Sequence, residues 1–304
     1  DDKRPEMKSA MEAAPILMDY LSDYSRDHFE KVKGYLQDLG VTSILLFPLY
    51  EADCYHNYFA NNFETIDPEF GSMQAYIELV QEIHRLGMKV YLDMETQYVT
   101  SKHLWWQDAV GNLNSPYADY LLFDDAAHLQ PATMVFDLRF LKGYDGQIIN
   151  VTTVNLKSPK VLDYNIALFS YFLDPNKDGK FDDGVDGFRL DHAMDHLDGK
   201  PTLTNLFAEF WKPLIAAVKK ANPAVKIVAE QADWADYGFA YFEKATVDRM
   251  FGFGLQKAIL SFDKQQIIDN AEVILRQTPA GKEQVIFIEN HDIDRFASLD
   301  FELD

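Results

Sequence analysis

Three acidic residues in the second half of the chain stand where they could carry out acid–base and nucleophilic chemistry. Asp191, Glu230 and Asp292 each lie at, or just beyond, the end of a short run predicted as a β-strand. Asp93 closes an earlier run in the same way. Carboxyl groups gathered at one place repel each other, so the pKa of at least one should rise, which suits a general acid. Any one of these acids is equally well explained as a helix N-cap, but the whole set favours chemistry.

The elements that would position these acids alternate along the chain. Short β-rich runs are separated by amphipathic helical patterns, which is typical of parallel strands covered by helices. In a barrel of this kind the carboxyl ends of the strands converge on one face, where the acids would meet. The seven predicted strands are 16–19, 44–47, 89–93, 185–190, 225–229, 247–251 and 285–288.

This alternation breaks between about residues 97 and 157, where short, polar, turn-rich pieces replace it. The sequence therefore predicts an α/β fold. Residues 1–96 and 158–304 form a (β/α)8-type barrel, and residues 97–157 form a subdomain inserted after the third strand. A closed barrel of this class has eight strands. The chain ends soon after the seventh, so we expect the eighth strand to be missing from it.

Composition narrows the range of partners. The chain has 49 acidic and 28 basic residues, a net charge of −21, which repels nucleic acid and favours a neutral ligand such as a sugar.

No run of 18 apolar residues is present, so no membrane span is expected. The polar start lacks an apolar signal core, so any secretion signal has been removed or never existed. Cys54 is the only cysteine, which excludes an intrachain disulfide, and the oligomeric state is left open.

Several motifs resemble those of the α-amylase family of glycoside hydrolases. The segment 186–191, Asp-Gly-Phe-Arg-Leu-Asp, is similar to the nucleophile motif of that family. The segment 287–292, Phe-Ile-Glu-Asn-His-Asp, resembles its third-acid motif, and 228–230, Val-Ala-Glu, resembles its acid/base strand. Their order and spacing make coincidence implausible. Further matches lie at 40–42, 55–58, 66–71 and 155–164.

The resemblance implies a role for each matched residue. Asp191 is the nucleophile, Glu230 is the general acid/base, and Asp292 binds sugar hydroxyls. Arg189 orients and ionises Asp191, a task that suits a guanidinium with its paired donors. The remaining candidates for sugar binding are His291 and Tyr58 from the matched motifs, Asp93 and Tyr98 around the third strand, and Trp234 after the strand of Glu230.

Together these roles describe a retaining glycoside hydrolase. It would cleave α-glucosidic linkages, α-1,4 being favoured, in starch-like glucans or maltooligosaccharides by double displacement. Two alternatives stay open: a transglycosylase that transfers to a sugar acceptor, and a catalytically weak relative that only binds carbohydrate. The intact set of three acids argues against the second of these.

The chain departs from the family pattern at several positions. Gln97 stands where a calcium-binding Asn is usual, and Tyr98 replaces a His that contacts the cleaved sugar. Phe59 stands where many members have Asp, and Met194 and Asp195 replace a Lys-His pair. We therefore expect an altered but working sugar subsite, with weak activity on plain starch.

A separate motif predicts a structural calcium ion. Residues 174–182, Asp-Pro-Asn-Lys-Asp-Gly-Lys-Phe-Asp, place oxygen ligands at alternate positions with Gly sixth, as a calcium loop does. The twelfth position is Val185 instead of Glu, so this is not an EF-hand, and a solvated acidic turn is the alternative. The loop precedes the fourth predicted strand, on the face away from the chemistry. The predicted ligands are Asp174, Asn176, Asp178, the carbonyl of Lys180, and Asp182.

Overall fold

The computed structural model describes residues 26–143 and 146–298. Its α-helices are α1 (Arg26–Asp38), α2 (Met73–Arg85), α3 (Leu104–Ala109), α4 (Pro159–Leu173), α5 (Lys212–Ala221), α6 (Phe239–Lys244), α7 (Phe253–Leu260) and α8 (Lys264–Gln277). Its strands are β1 (Ser43–Leu46), β2 (Tyr50–Ala52), β3 (Ala60–Ile66), β4 (Lys89–Met94), β5 (Tyr98–Thr100), β6 (Phe140–Lys142), β7 (Ile148–Thr153), β8 (Gly187–Leu190), β9 (Lys226–Ala229), β10 (Arg249–Phe251) and β11 (Glu283–Val285). A π-helical turn at Phe207–Trp211 leads into α5, and short 3-10 turns lie at Val135–Asp137 and Phe296–Ser298.

The larger of the two sheets has six strands, all of them parallel. Its strand order is β1-β4-β8-β9-β10-β11, and every neighbouring pair is parallel. Strands β8 and β9 are almost entirely apolar and buried, as strands covered on both faces should be. Gly187 permits the close approach of these strands, because a Cβ there would lie 2.4 Å from the ring of Tyr91 and 2.5 Å from the carbonyl oxygen of Lys226.

The helices pack against this sheet through the apolar faces that their sequences predict. In α2 the hydroxyl of Ser72 accepts a hydrogen bond from the N–H of Ala75 at 3.2 Å, which caps the first turn. Gly87, with φ of 77°, lies just beyond the end of that helix in the left-handed region that a side chain disfavours. The buried face of α2 consists of Ala75, Tyr76, Leu79, Val80 and Ile83.

The predicted strands compare with the observed sheet as follows. Five of them, at 44–47, 89–93, 185–190, 225–229 and 247–251, coincide with β1, β4, β8, β9 and β10. The last observed strand is Glu283–Val285, so it ends where the predicted strand 285–288 begins. The predicted strand 16–19 falls outside the described residues. The number of strands that would close the barrel is therefore still a prediction.

A second sheet lies over the carboxyl ends of the first. Its order is β2-β3-β5-β7-β6, antiparallel except for the parallel pair β3 and β5. Strands β5, β6 and β7 come from the predicted insertion 97–157, whereas β2 and β3 precede it. The predicted boundary of the inserted subdomain thus stays a prediction. None of the helices among the described residues is long and apolar enough to cross a membrane.

Candidate active site

Four charged residues meet where the central strands of the parallel sheet end. The register pairs Asp93 of β4 with Arg189 of β8, and Asp191 and Glu230 directly follow β8 and β9. Parallel strands end on the same side, so these side chains lie close together, and Asp191 and Glu230 line one cavity of about 650 Å³. Asp292 also lies on the wall of this cavity. The structure therefore brings together the three acids that the sequence singles out.

Arg189 forms the centre of the cluster. Its Nη1 donates to both oxygens of Asp93, at 2.9 and 3.0 Å, and to Oδ1 of Asp191 at 2.5 Å. Its Nη2 donates to Oε2 of Glu230 at 2.7 Å. The residue is buried, and among the described residues its Nε has no hydrogen-bond partner. One buried guanidinium thus compensates three carboxyl groups that would otherwise repel each other.

The environments of Asp191 and Glu230 shift their pKa values in opposite directions. Burial alone would raise the pKa of Asp191, but the charges of His192 and Arg189, with their hydrogen bonds, hold it well below its usual range. Burial raises the pKa of Glu230, and the charge of Asp191 adds to this, although Arg189 opposes it. An ionised carboxylate beside a carboxyl that retains its proton is the pairing that a nucleophile and a general acid require.

Asp93 is the fully buried member of this cluster. Burial raises its pKa to about 7, even though the Arg189 charge lowers it. The hydroxyl of Tyr58 donates to Oδ2 of Asp93 at 2.7 Å and lies 2.9 Å from Nε2 of His291. The rings of Tyr58 and His291 are stacked, with centroids 5.9 Å apart. These contacts fix the position of Tyr58 on the cavity wall.

Asp292 occupies the rim of the cavity. Its carboxylate accepts a hydrogen bond from the side chain of Asn290 at 3.2 Å, and Nε2 of His291 lies 3.4 Å from its Oδ1. A third of its side chain is exposed, compared with 14% for Asp191 and 7% for Glu230. This carboxylate is therefore accessible from solvent.

Two of the departures from the family pattern have contacts that account for them. The amide of Gln97 donates to the carbonyl oxygen of Asp191 at 2.8 Å, so it ties the end of β4 to the end of β8. The hydroxyl of Tyr98 donates to Oδ1 of Asp198 at 2.7 Å, and the Tyr98 side chain is buried. Tyr98 thus lines the cavity mainly with its ring, because its hydroxyl is already paired.

Trp234 contacts the acid/base residue directly. Its indole Nε1 donates to Oε1 of Glu230 at 3.2 Å. One face of the indole is stacked on Phe253, with ring centroids 4.8 Å apart and planes 7° from parallel. Trp234 therefore holds Glu230 in place, and the other face of its ring lies toward the cavity that it lines.

His192 and Phe136 are among the residues of the cavity wall that the sequence reasoning missed. Nδ1 of His192 lies 2.5 Å from Oδ2 of Asp191. Phe136 is 87% exposed, and its backbone adopts φ of 58° and ψ of 25°, a conformation that is rare for a bulky residue. The position of His192 directly after an acid at a strand end was a usable signal, whereas nothing in the sequence pattern marks Phe136.

The predicted calcium loop, residues 174–182, connects α4 to β8. The Asp174 carboxylate and the Asn176 side chain both accept hydrogen bonds from the N–H of Asp178, at 3.1 and 2.8 Å. The neighbouring Asp183 is fully buried, and its Oδ1 has no hydrogen-bond partner in the described part of the chain. In that part no three His, Cys, Asp or Glu side chains are gathered as metal ligands. Calcium binding here stays a prediction.

Comparison with known proteins agrees with this geometry. The family model described as "Alpha amylase, catalytic domain" matches residues 29–301. Alpha-amylase 3 of Dictyoglomus thermophilum is 26% identical over 267 residues, covering 85% of this chain and 50% of that protein. The intracellular maltogenic amylase of Bacillus subtilis is 30% identical over 198 residues, covering 64% of this chain and 29% of that protein. The 4-alpha-glucanotransferase of Thermotoga maritima is 26% identical over 291 residues, covering 88% of this chain and 58% of that protein.

Solved structures give the same fold. The alpha-amylase from H. orenii superimposes with a TM-score of 0.68 at 22% identity, covering 96% of this chain and 59% of that one. Such neighbours define the class of fold as a (β/α)8 barrel. Within that class, the chain belongs to the α-amylase family. It spans only part of the length of these relatives, about half of the first.

Proposed function

We propose that this chain is the catalytic part of a retaining glycosidase that cleaves α-1,4 linkages in starch-like glucans or maltooligosaccharides. The observation that carries the proposal is the pair Asp191 and Glu230, held by one guanidinium with their pKa values shifted apart. Relatives named as amylases support the choice of substrate.

The proposed reaction has two steps. In the first, an oxygen of Asp191 bonds to the anomeric carbon while Glu230 gives its proton to the glycosidic oxygen, and the glycosidic bond breaks. In the second, Glu230 takes a proton from water as the water oxygen bonds to the anomeric carbon and Asp191 leaves. Each step inverts the anomeric carbon, so the product keeps the α configuration.

The remaining wall residues would orient the sugar. Tyr58 and His291 present stacked rings, and the partly exposed Asp292 presents a carboxylate to hydroxyl groups. Tyr98 contributes only part of its ring to the cavity wall, since its hydroxyl is bonded to Asp198 and its ring is stacked on His192. A site with one hydrogen bond fewer to the sugar would be slower on plain starch, as the sequence predicts.

Product analysis tests the proposal. Proton NMR of fresh digests of maltooligosaccharides should show the α-anomer first, followed by slow mutarotation. Asp191→Asn should abolish hydrolysis while preserving sugar binding, because the amide is isosteric but a poor nucleophile. Wild-type rates in that variant, or a β-anomer as first product, would contradict the assignment.

Transfer to a sugar acceptor is a second candidate. The exposed ring of Phe136 on the cavity wall favours it, because such a surface holds a sugar in place of water. The similarity to a 4-alpha-glucanotransferase is consistent with transfer. Longer oligosaccharides than the starting substrate among the products would establish transfer, and their absence at high substrate concentration would establish hydrolysis alone.

We also propose that the loop 174–182 binds a structural calcium ion. The alternating oxygen ligands support this, and the buried Oδ1 of Asp183, which has no hydrogen-bond partner among residues 26–143 and 146–298, offers a further ligand. The loop lies before β8, away from the cluster at the strand ends. Calcium should therefore raise the melting temperature while leaving kcat nearly unchanged. Calorimetry with calcium and with a chelator tests this, and equal melting temperatures would contradict it.

A further inference from the structure

Both oxygens of the proposed nucleophile are held in this structure, each by a different neighbour. Oδ1 of Asp191 lies 2.5 Å from Nη1 of Arg189, and Oδ2 lies 2.5 Å from Nδ1 of His192. Double displacement requires one of these oxygens to bond to the anomeric carbon, so one contact has to be released. The Arg189 side chain is 3% exposed and also binds two other carboxyl groups, whereas the His192 side chain is 25% exposed. His192 is therefore the partner that can move.

The surroundings of His192 define where its ring rests. The imidazole is stacked on Tyr98, with centroids 5.6 Å apart and planes 23° from parallel. Its Nε2 lies 3.4 Å from the Tyr98 hydroxyl, which donates onward to Asp198. The backbone N–H of His192 donates to Oε2 of Glu230 at 3.2 Å. One residue thus contacts both the nucleophile and the acid/base, while its ring lies on an aromatic surface.

The charged residues around His192 are three acids and one arginine. Asp191 and Glu230 lie beside it, Asp198 lies beyond Tyr98, and Arg189 opposes them with its positive charge. Burial lowers the pKa of His192, but the charge of Asp191, the hydrogen bond to it and the charge of Glu230 raise it on balance. The imidazole is therefore cationic at pH values where a free histidine is already neutral.

We propose that His192 is a positioning residue that clamps Oδ2 of Asp191 through a charged contact when the imidazole is protonated, and that loss of this charge weakens the contact enough for the oxygen to attack. The proposal rests on the proposed glycosidase function. A cation on Oδ2 stabilises the free carboxylate more than the transition state, in which the negative charge passes into a new bond. Protonation of His192 should then depress kcat/KM on the acid side of the pH profile, and loss of the Glu230 proton, which the leaving group needs, should depress it on the alkaline side.

The pH dependence of kcat/KM on maltooligosaccharides tests the clamp. His192→Asn keeps a donor near the position of Nδ1 but carries no charge. In this variant the acid-side midpoint of the kcat/KM profile should move down by about two pH units, which is the interval between the pKa of an ordinary histidine and that of an ordinary carboxyl group. His196→Asn is the matched control, since His196 is two-thirds exposed, and its profile should equal that of the wild type. An unmoved acid-side midpoint in His192→Asn, or an equal loss at every pH, would overturn the proposal.

A second measurement needs no catalysis. The chain has eight histidines, and the imidazole signal that His192→Asn lacks identifies His192 in proton NMR. In Asp191→Asn its titration midpoint should fall by about one unit or more, because the charge that raises it is gone. An unchanged midpoint would show that no such contact exists in solution. If the midpoint falls but the wild-type chain cleaves no α-glucan, the proposed function fails, and the clamp fails with it.

Discussion

Nη2 of Arg189 donates a 2.7 Å hydrogen bond to Oε2 of Glu230, so the side chain that binds Asp191, the proposed nucleophile, also holds Glu230, the proposed acid/base. This follows from the register that places β8 between β4 and β9. A residue in the middle of β8 can reach the ends of both neighbours. The geometry of the proposed chemistry therefore depends on three adjacent strands and one guanidinium.

Arg189→Lys should cause a large loss of activity and stability. A lysine ammonium cannot donate to three carboxyl groups through a planar fork, so at least one buried carboxyl loses its partner. The expected destabilisation is about 3–5 kcal/mol, with kcat/KM reduced about a hundredfold or more. Kinetics and chemical denaturation measure both. The control is Arg139→Lys, at an exposed pair with Asp124, where changes within about 0.5 kcal/mol are expected. A variant indistinguishable from this control would contradict the central role of Arg189.

Glu230→Gln should slow the first step by an amount that depends on the leaving group of the substrate. The amide cannot give a proton, so maltooligosaccharides, with poor leaving groups, should lose about 10²–10⁴-fold in the first step. An aryl α-glucoside with an acidic phenol needs little protonation and should lose far less in that step. Pre-steady-state release of the phenol measures the difference, with the exposed Glu243→Gln as control. Equal losses on both substrates would argue against an acid role.

Phe136→Ala should weaken binding of long oligosaccharides only. The exposed ring lies at the cavity wall, and stacking on a sugar is worth about 1 kcal/mol, or roughly fivefold in KM. Maltose-sized substrates that do not reach the ring should be unaffected. Stability should not fall, because the ring is hardly buried. The comparison is Phe140→Ala, a half-exposed phenylalanine on β6. A uniform effect on all chain lengths would refute this role.

A pH-dependent contribution to stability is expected at the other end of the sheet. Asp186 accepts hydrogen bonds from His84 at 2.8 Å, Lys89 at 2.6 Å and the N–H of Val90 at 2.9 Å. Although burial opposes it, these partners lower the pKa of Asp186 to about 2, so its contribution is lost as pH falls toward that value. The hydrogen bond to Asp186 raises the pKa of His84, although burial opposes it, so that contribution is lost as pH rises through the raised value.

Asp186→Asn should therefore destabilise the protein most between about pH 4 and 6.5, by about 2 kcal/mol. Melting temperatures at pH 5.5 and 8.5 should show a larger deficit at the lower pH. Asp269→Asn on the exposed side of α8 should show no deficit at either. A deficit that grows with rising pH would contradict the assigned signs.

Much of this site was predictable from sequence because strand ends are local features. Asp93, Asp191 and Glu230 follow apolar runs whose parallel pairing forces them together. The second sheet was not predictable, since β3 pairs with β5, and β5 with β7, across long stretches of the chain. Such pairing is set by tertiary contacts instead of local propensity.

The contacts of individual side chains were also beyond the sequence. The hydroxyl of Tyr98 donates to Asp198, one hundred residues away. The sequence shows that Tyr98 replaces a histidine of the family pattern, but this replacement does not predict how the Tyr98 side chain is oriented. The left-handed backbone of Phe136 has no sequence signal either, because that conformation normally favours glycine or asparagine. The apolar residues 286–288 predicted a strand, yet they follow β11, where they are partly exposed.

Mass spectrometry of the trapped intermediate tests the central claim most directly. Incubation with an activated fluorinated α-glucoside slows the second step, so the covalent glycosyl-enzyme accumulates. After proteolysis, the account predicts a mass gain of one fluorinated sugar on the peptide that contains Asp191, and no gain in Asp191→Asn. An active enzyme that carries the label on Asp93 or Glu230, or that never becomes labelled, would contradict the assignment of Asp191 as the nucleophile.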